Sequence, residues 1–168
     1  MAAEITVCVP DIWVSTIKKI ADNRHDLHQN HSSSRPLSLD YELVGMAGEY
    51  AFGEVTALPV DWRILPEGDG GVDFTVGKAA IDVKTARKPS NLIVEQGLKN
   101  LSANIFVLAG WNDLSNTVKL IGWETKRAIL SAPVKDFGYG IHNHFIPASE
   151  LKDIRLLVQK IDQWRNHG

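Results

Sequence analysis

Asp73, Asp82 and Lys84 bring two carboxylates and an ammonium into one short stretch of the chain. Val72 to Val76 and Ala79 to Thr85 are β-prone runs, and Gly77-Lys78 between them reads as a tight hairpin turn. Residues two apart on a strand share a face. Asp82 and Lys84 are therefore expected to project together, with Val83 turned into a core and Asp73 within reach on the neighbouring strand. Such a set can do one of two things. It can form an exposed cross-strand ion pair worth under about 1 kcal/mol, or its hard carboxylate oxygens can hold Mg²⁺ or Mn²⁺ beside a fixed positive charge. Register decides whether the second is open, because a slip of one residue turns Asp73 away from Asp82.

The elements that must position this hairpin follow from periodicity. Leu39 to Thr56 reads as a helix, with Leu43, Ala47, Tyr50 and Ala51 on one stripe and Gly45, Glu49 and Phe52 on another. Glycine costs about 1 kcal/mol relative to alanine inside a helix, so Gly45 and Gly48 are expected where a backbone approaches closely or a site needs room. Glu49 points off that small-residue face, and Glu54, well round the helix, is the alternative acidic residue. Upstream, Ile5, Val7 and Val9 alternate as a short strand, and Asp11 to about His28 reads as an amphipathic helix with Asp11 as N-cap. Gln29 to Pro36 is a polar, serine-rich loop, and Val60 to Leu65 is a strand.

Beyond the hairpin, Leu92 to Leu101 fits either a strand or a short helix, while the apolar run from Asn104 to Gly110 fits a buried strand. Trp111 to Asn116 reads as a turn, Thr117 to Trp123 as a strand and Glu124 to Leu130 as a short helix. Pro133 to Asn143 is glycine-rich and loop-like, and Phe145 to Pro147 ends a last strand. From Ser149 a closing helix is expected, with Glu150 early and Lys160 and Arg165 late, as the helix dipole favours.

Composition narrows the class. The 168 residues suit one domain spanning 1–168, and 44% hydrophobic with 23% charged residues is ordinary for a soluble globular protein. No apolar run is long enough for a membrane span, and Met1 to Ile5 lacks a basic secretory start. Cys8 is the only cysteine, so an intramolecular disulfide and a multi-cysteine metal site are excluded and a cytoplasmic location fits. A net charge of −2 argues against a strongly basic nucleic-acid coat, though not against local clusters. There is no Walker-type glycine loop and no serine or cysteine nucleophile elbow.

The order of a helix bearing Glu49, a strand, a strand with Asp73, then Asp82-Val83-Lys84 and a later buried strand resembles the PD-(D/E)xK nuclease superfamily, in its small phage or bacterial members. The resemblance covers roughly residues 40 to 123 and departs from the namesake motif at Val72, where proline is usual. It implies an α/β (α+β) restriction-endonuclease-like αβββαβ core, a mixed central sheet flanked by helices, here with an added N-terminal strand–helix and a C-terminal helix. It implies a Mg²⁺- or Mn²⁺-dependent deoxyribonuclease in the cytoplasm, the host's if the protein is viral. Asp73 and Asp82 would hold the metal, with the Val83 carbonyl as a further ligand and Glu49 binding directly or through water. Lys84 would orient the attacking water and stabilise charge on the phosphate. Thr85, Arg87 and Lys88 continue the strand to where a nucleic-acid backbone would pass, and Arg87 and Lys88 add positive charge there. DNA is the partner implied, RNA remains open as substrate, and a homodimer is a common arrangement for cutting both strands. The alternative is a catalytically silent nuclease-like fold acting as a DNA-binding or accessory protein.

Other patterns carry less. His25, His28 and His31 recur every three residues, but no fourth zinc ligand stands at a recognisable spacing. His142-Asn143-His144 spells the name of another nuclease family, whose residues are dispersed rather than contiguous. Trp13, Trp62, Trp123 and Trp164 fall in periodic elements and read as core, leaving Trp111 as the tryptophan placed for base stacking. Lys18-Lys19 and Lys126-Arg127 read as helix surface, and substrate specificity would fall to loops 29–38 and 131–143.

Overall fold

Burial, more than helix or strand propensity, sets the architecture, because two apolar clusters sandwich one sheet. The computed structural model describes residues 3–28, 40–62, 71–97 and 101–167, of which 25–28 by backbone only. In chain order these form β1 (Ile5–Cys8), α1 (Asp11–His28), α2 (Tyr41–Thr56), β2 (Phe74–Val76), β3 (Ala79–Ala86), β4 (Asn91–Glu95), β5 (Ile105–Asn112) and β6 (Thr117–Thr125). Then come α3 (Lys126–Leu130), β7 (Val134–Asp136), β8 (His142–Pro147), a 3-10 turn at Ala148–Glu150, β9 (Lys152–Asp153) and α4 (Ile154–Asn166). The class is mixed, α+β. The larger sheet has the order β1-β6-β5-β3-β2, with β9 also pairing β6, and the smaller has β4-β8-β7. Among the described residues, only β3 and β5 pair in parallel.

β5 is apolar nearly throughout, as expected for a strand covered on both faces, whereas β3 alternates buried apolar residues with Asp82 and Lys84. One face carries Ile81 and Val83 of β3 with Ile105, Val107 and Ala109 of β5, packed against α2 and α4 through residues such as Phe52, Leu157 and Ile161. The other face presents Phe106 and Leu108, packed against Leu92 and Val94 of β4 and Ile129 of α3. Asp82 stands level with Phe106 and Lys84 with Leu108, so both charged residues belong to this second face.

Several expectations need correcting. The crossover from β3 to β5 is a strand of the smaller sheet, not a helix, because Leu92 and Val94 alternate inward rather than at helical spacing. Residues 60–62 form no strand, and 63–65, like the loop at 29–36, lie outside the described residues. The stretch 133–143 holds β7 and the start of β8. The Asp136 carboxylate accepts N–H bonds from Gly138, Tyr139 and Gly140 at 2.8, 3.0 and 3.1 Å, so its glycines build a hairpin tip. Asp11 is not the N-cap of α1; the Pro10 carbonyl takes the first N–H bonds, from Trp13 and Val14. Glu124 ends a strand instead of opening α3, which Thr125 caps through a 3.2 Å bond from the Ala128 N–H. The closing helix starts at Ile154, since Lys152–Asp153 first pairs with Gly122–Trp123. Among the described residues, no helix is long and apolar enough to cross a membrane.

Asp153 caps α4, accepting from the Arg155 N–H at 2.9 Å, and the Arg155 guanidinium holds its carboxyl down to about 2. An unfolded aspartate titrates near 3.9. A carboxyl depressed by folding stabilises the fold above that unfolded value and loses its contribution as pH falls through the folded one. Asp153→Asn keeps a capping oxygen and removes the charge. Calorimetric melting of parent and variant is expected to show a gap that is full above about pH 5 and closes towards about pH 2.

Candidate active site

The hairpin turn fixes the register as its residues require. Val76 pairs with Ala79 and Phe74 with Ile81, and Gly77 takes a φ of 55° that favours glycine. Ahead of β2 the regular ladder stops. The Asp73 N–H donates to the Ile81 carbonyl at 2.8 Å, although Phe74 already stands opposite Ile81. Two residues thus face one, as in a β-bulge. The next β3 group on that side, the Val83 N–H, donates to Asp73 Oδ2 at 2.7 Å. Asp73 therefore substitutes its side chain for a ladder carbonyl, which holds a carboxylate in the plane of the sheet beside residue 83. The Val83 carbonyl points to the same side of β3 as its N–H.

Asp82 and Lys84 flank that residue and point out of the plane. Asp82 is buried, at 7% exposure, and its Oδ2 lies 2.7 Å from Lys84 Nζ. The Lys84 side chain is 44% exposed, so the pair has a covered acidic end and an open basic end. A charge buried this far must be paired or hydrogen-bonded to persist, and Lys84 does part of this. The structure thus brings Asp73, Asp82, Val83 and Lys84 together.

Glu49 makes no three-carboxylate group with Asp73 and Asp82. Its helix, α2, lies over the opposite face of β3, where a Cβ added at Gly48 would stand 1.8 Å from Thr85 Oγ1. Gly48 is the close approach anticipated for this helix; Gly45 is not, with nothing within 4 Å of the equivalent point. Glu49 is half-buried and Glu54 exposed. Among the described residues, no three His, Cys, Asp or Glu side chains gather so as to hold a metal ion. Two carboxylates are a donor set that suits a hard cation keeping several waters, as Mg²⁺ does.

Two of the three residues expected to meet a nucleic-acid backbone are engaged elsewhere. Thr85 turns towards α2, its hydroxyl buried and without a hydrogen-bond partner. Arg87 grips two carboxylates, Asp113 at 2.6 and 3.0 Å and Asp40 at 3.0 and 2.5 Å. These bonds, to Asp113 first, push its guanidinium further above its usual range, and Arg87 holds the Asp113 carboxyl low. Arg87 is thus a tie between β3, the start of α2 and the β5–β6 turn. Lys88 is exposed. Trp111 is also unavailable for stacking: it is 4% exposed, and its indole N–H donates to Asp113 at 2.9 Å. Trp13 departs from a core role as well, at 39% exposure, stacked on Trp62 at 5.9 Å.

The Arg87 tie and the buried Glu124, whose carboxylate pairs with Lys152 and accepts the Thr125 N–H at 2.7 Å, had no sequence signal. Their ion-pair partners lie 26 to 47 residues away and follow no local period. No family model, curated protein or solved structure matches the chain.

The contact of Gly48 with Thr85 can be tested by exchanging volume. Gly48→Ala inserts a methyl into the space of Thr85 Oγ1, and overpacking costs about 1–3 kcal/mol, or several degrees of melting temperature at this chain length. Thr85→Ala empties that space. The double variant is expected to melt above Gly48→Ala alone, and additive losses would show that the two residues do not share the contact.

Proposed function

We propose that the protein is a metal-dependent nuclease that hydrolyses phosphodiester bonds in DNA, built on a restriction-endonuclease-like core. The observation that carries this reading is the grouping around Val83: the Asp73 carboxylate on its N–H at 2.7 Å, and Asp82 and Lys84 in contact at 2.7 Å on either side of it. A plain surface ion pair explains Asp82 and Lys84 but not a second carboxylate built into the ladder next to them.

In this reading Asp73 and Asp82 hold Mg²⁺ or Mn²⁺, with the Val83 carbonyl as a further oxygen donor. When bound, such a cation offsets charge on the phosphate and supplies an activated water. Asp73 is held rigidly by the Val83 N–H, so it needs little reorganisation to bind. Asp82, screened from water, attracts a cation more strongly than an exposed carboxylate would. Lys84 Nζ, open to solvent, places positive charge where the attacking water and the non-bridging phosphate oxygens meet. Glu49 lies over the other face of β3, which leaves it a role through water. Lys88 is the phosphate contact that remains once Arg87 and Thr85 are engaged within the fold.

The reading predicts cleavage of DNA that requires Mg²⁺ or Mn²⁺ and falls at least about 100-fold in Asp82→Asn and Lys84→Ala, with far-ultraviolet circular dichroism unchanged. Parent-like cleavage by both variants would remove these residues from the site. A second reading, a nuclease-like fold that binds DNA without cutting it, draws on the lack of a third carboxylate beside Asp73 and Asp82 among the described residues. Metal uptake by calorimetry, with no cleavage of single- or double-stranded DNA or RNA, would favour it.

A further inference from the structure

On the sheet face opposite Asp82 and Lys84, the structure opens a cavity of about 640 Å³ between the β2–β3 turn and the end of α4. This volume lies in the range of small-molecule sites. Ala79, Ile105 and Trp164 supply apolar wall, and Lys78 and His167 stand among the lining residues at its exposed margin. No carboxylate lines it among the described residues. One wall is fixed in advance. Asn104 donates from Nδ2 to the Lys78 carbonyl at 2.9 Å, and its Oδ1 accepts the Ala80 N–H at 2.9 Å. That clamp holds the turn against the start of β5, so the cavity does not have to form around its occupant. The half-buried Trp164 and the exposed Lys78 both line it.

From these features we infer that the cavity is a binding site for a planar aromatic ring carrying an anionic group. The ring lies against Trp164, Ile105 and Ala79, where burying it gains hydrophobic and stacking energy. The anion meets Lys78 at the rim, with His167 as a second donor. The site is separate from the metal-binding proposal, being on the other face of β3, and holds whether or not that proposal does.

Isothermal titration with 2-naphthoate and with its neutral analogue 2-naphthylmethanol tests this without metal or nucleic acid. One saturable site is expected, with the acid favoured about fivefold over the alcohol, as suits a partly exposed charge pair. Trp164→Ala should abolish binding of both. Because Trp164 also touches the core, Lys78→Glu serves as the second variant: it sits in an exposed turn, and it should reverse or erase the preference for the acid while leaving the alcohol bound. Adenosine monophosphate in a parallel titration separates the sources, since binding like naphthoate points to a nucleotide and naphthoate binding alone to a free aromatic acid. No saturable binding at about 1 mM, equal affinity for acid and alcohol, or an unchanged preference in Lys78→Glu would each overturn the assignment.

Discussion

The Val83 N–H is the group on which the candidate site depends. It sits in a strand hydrogen-bonded on both sides, and a backbone donor left unpaired there would cost about as much as a lost hydrogen bond. β2 pairs with β3 only over Phe74–Val76, and the bulge at Asp73 interrupts the ladder before it reaches Val83. The Asp73 carboxylate takes the bond instead. One side chain thereby meets two demands: it closes the ladder, and it parks a negative charge beside the most buried acidic side chain of the same strand. A charge-assisted bond of this kind is stronger than the amide–carbonyl bond it replaces, so the bulge is compatible with a stable hairpin.

Everything else about β3 follows from its two faces. Ile81 and Val83 are buried against helices, Asp82 and Lys84 face the smaller sheet, and neither set can be moved without moving the other. Helix α2 can lie close to this strand only because residue 48 has no side chain, and Thr85 Oγ1 fills the vacancy without finding a partner. A buried hydroxyl in that state is a cost, about 1–3 kcal/mol. The close contact is therefore bought with stability.

What was legible in the sequence was what is local. The two-residue turn, the alternation around Asp82 and Lys84, the apolar run of β5 and the glycine-bearing helix all follow from short-range periods. The misread elements are those decided by partners. Leu92 to Glu95 is a strand because β8 offers an edge to pair with, and 133–143 is a hairpin because one aspartate gathers three N–H groups. Arg87 looked like a free cation because Asp40 and Asp113 stand 47 and 26 residues away from it. Glu49 sits at a proper spacing before Asp73, yet spacing along a chain does not say which face of the sheet its helix will cover.

The loss of Arg87 to the fold bears on how a polyanion would approach. Asp73 and Asp82 bring two carboxylates beside the single ammonium of Lys84, and Asp82 is largely withdrawn from water. Lys88 lies nearby in sequence but is exposed, where salt screens it. If the nuclease reading holds, a bound cation adds positive charge where a phosphate would approach these carboxylates. Metal and nucleic acid would then bind with positive coupling: each makes the other's site more favourable, and by linkage the effect is equal in both directions. A fold with a net charge of −2 would in this way engage a polyanion only where its two carboxylates are already occupied.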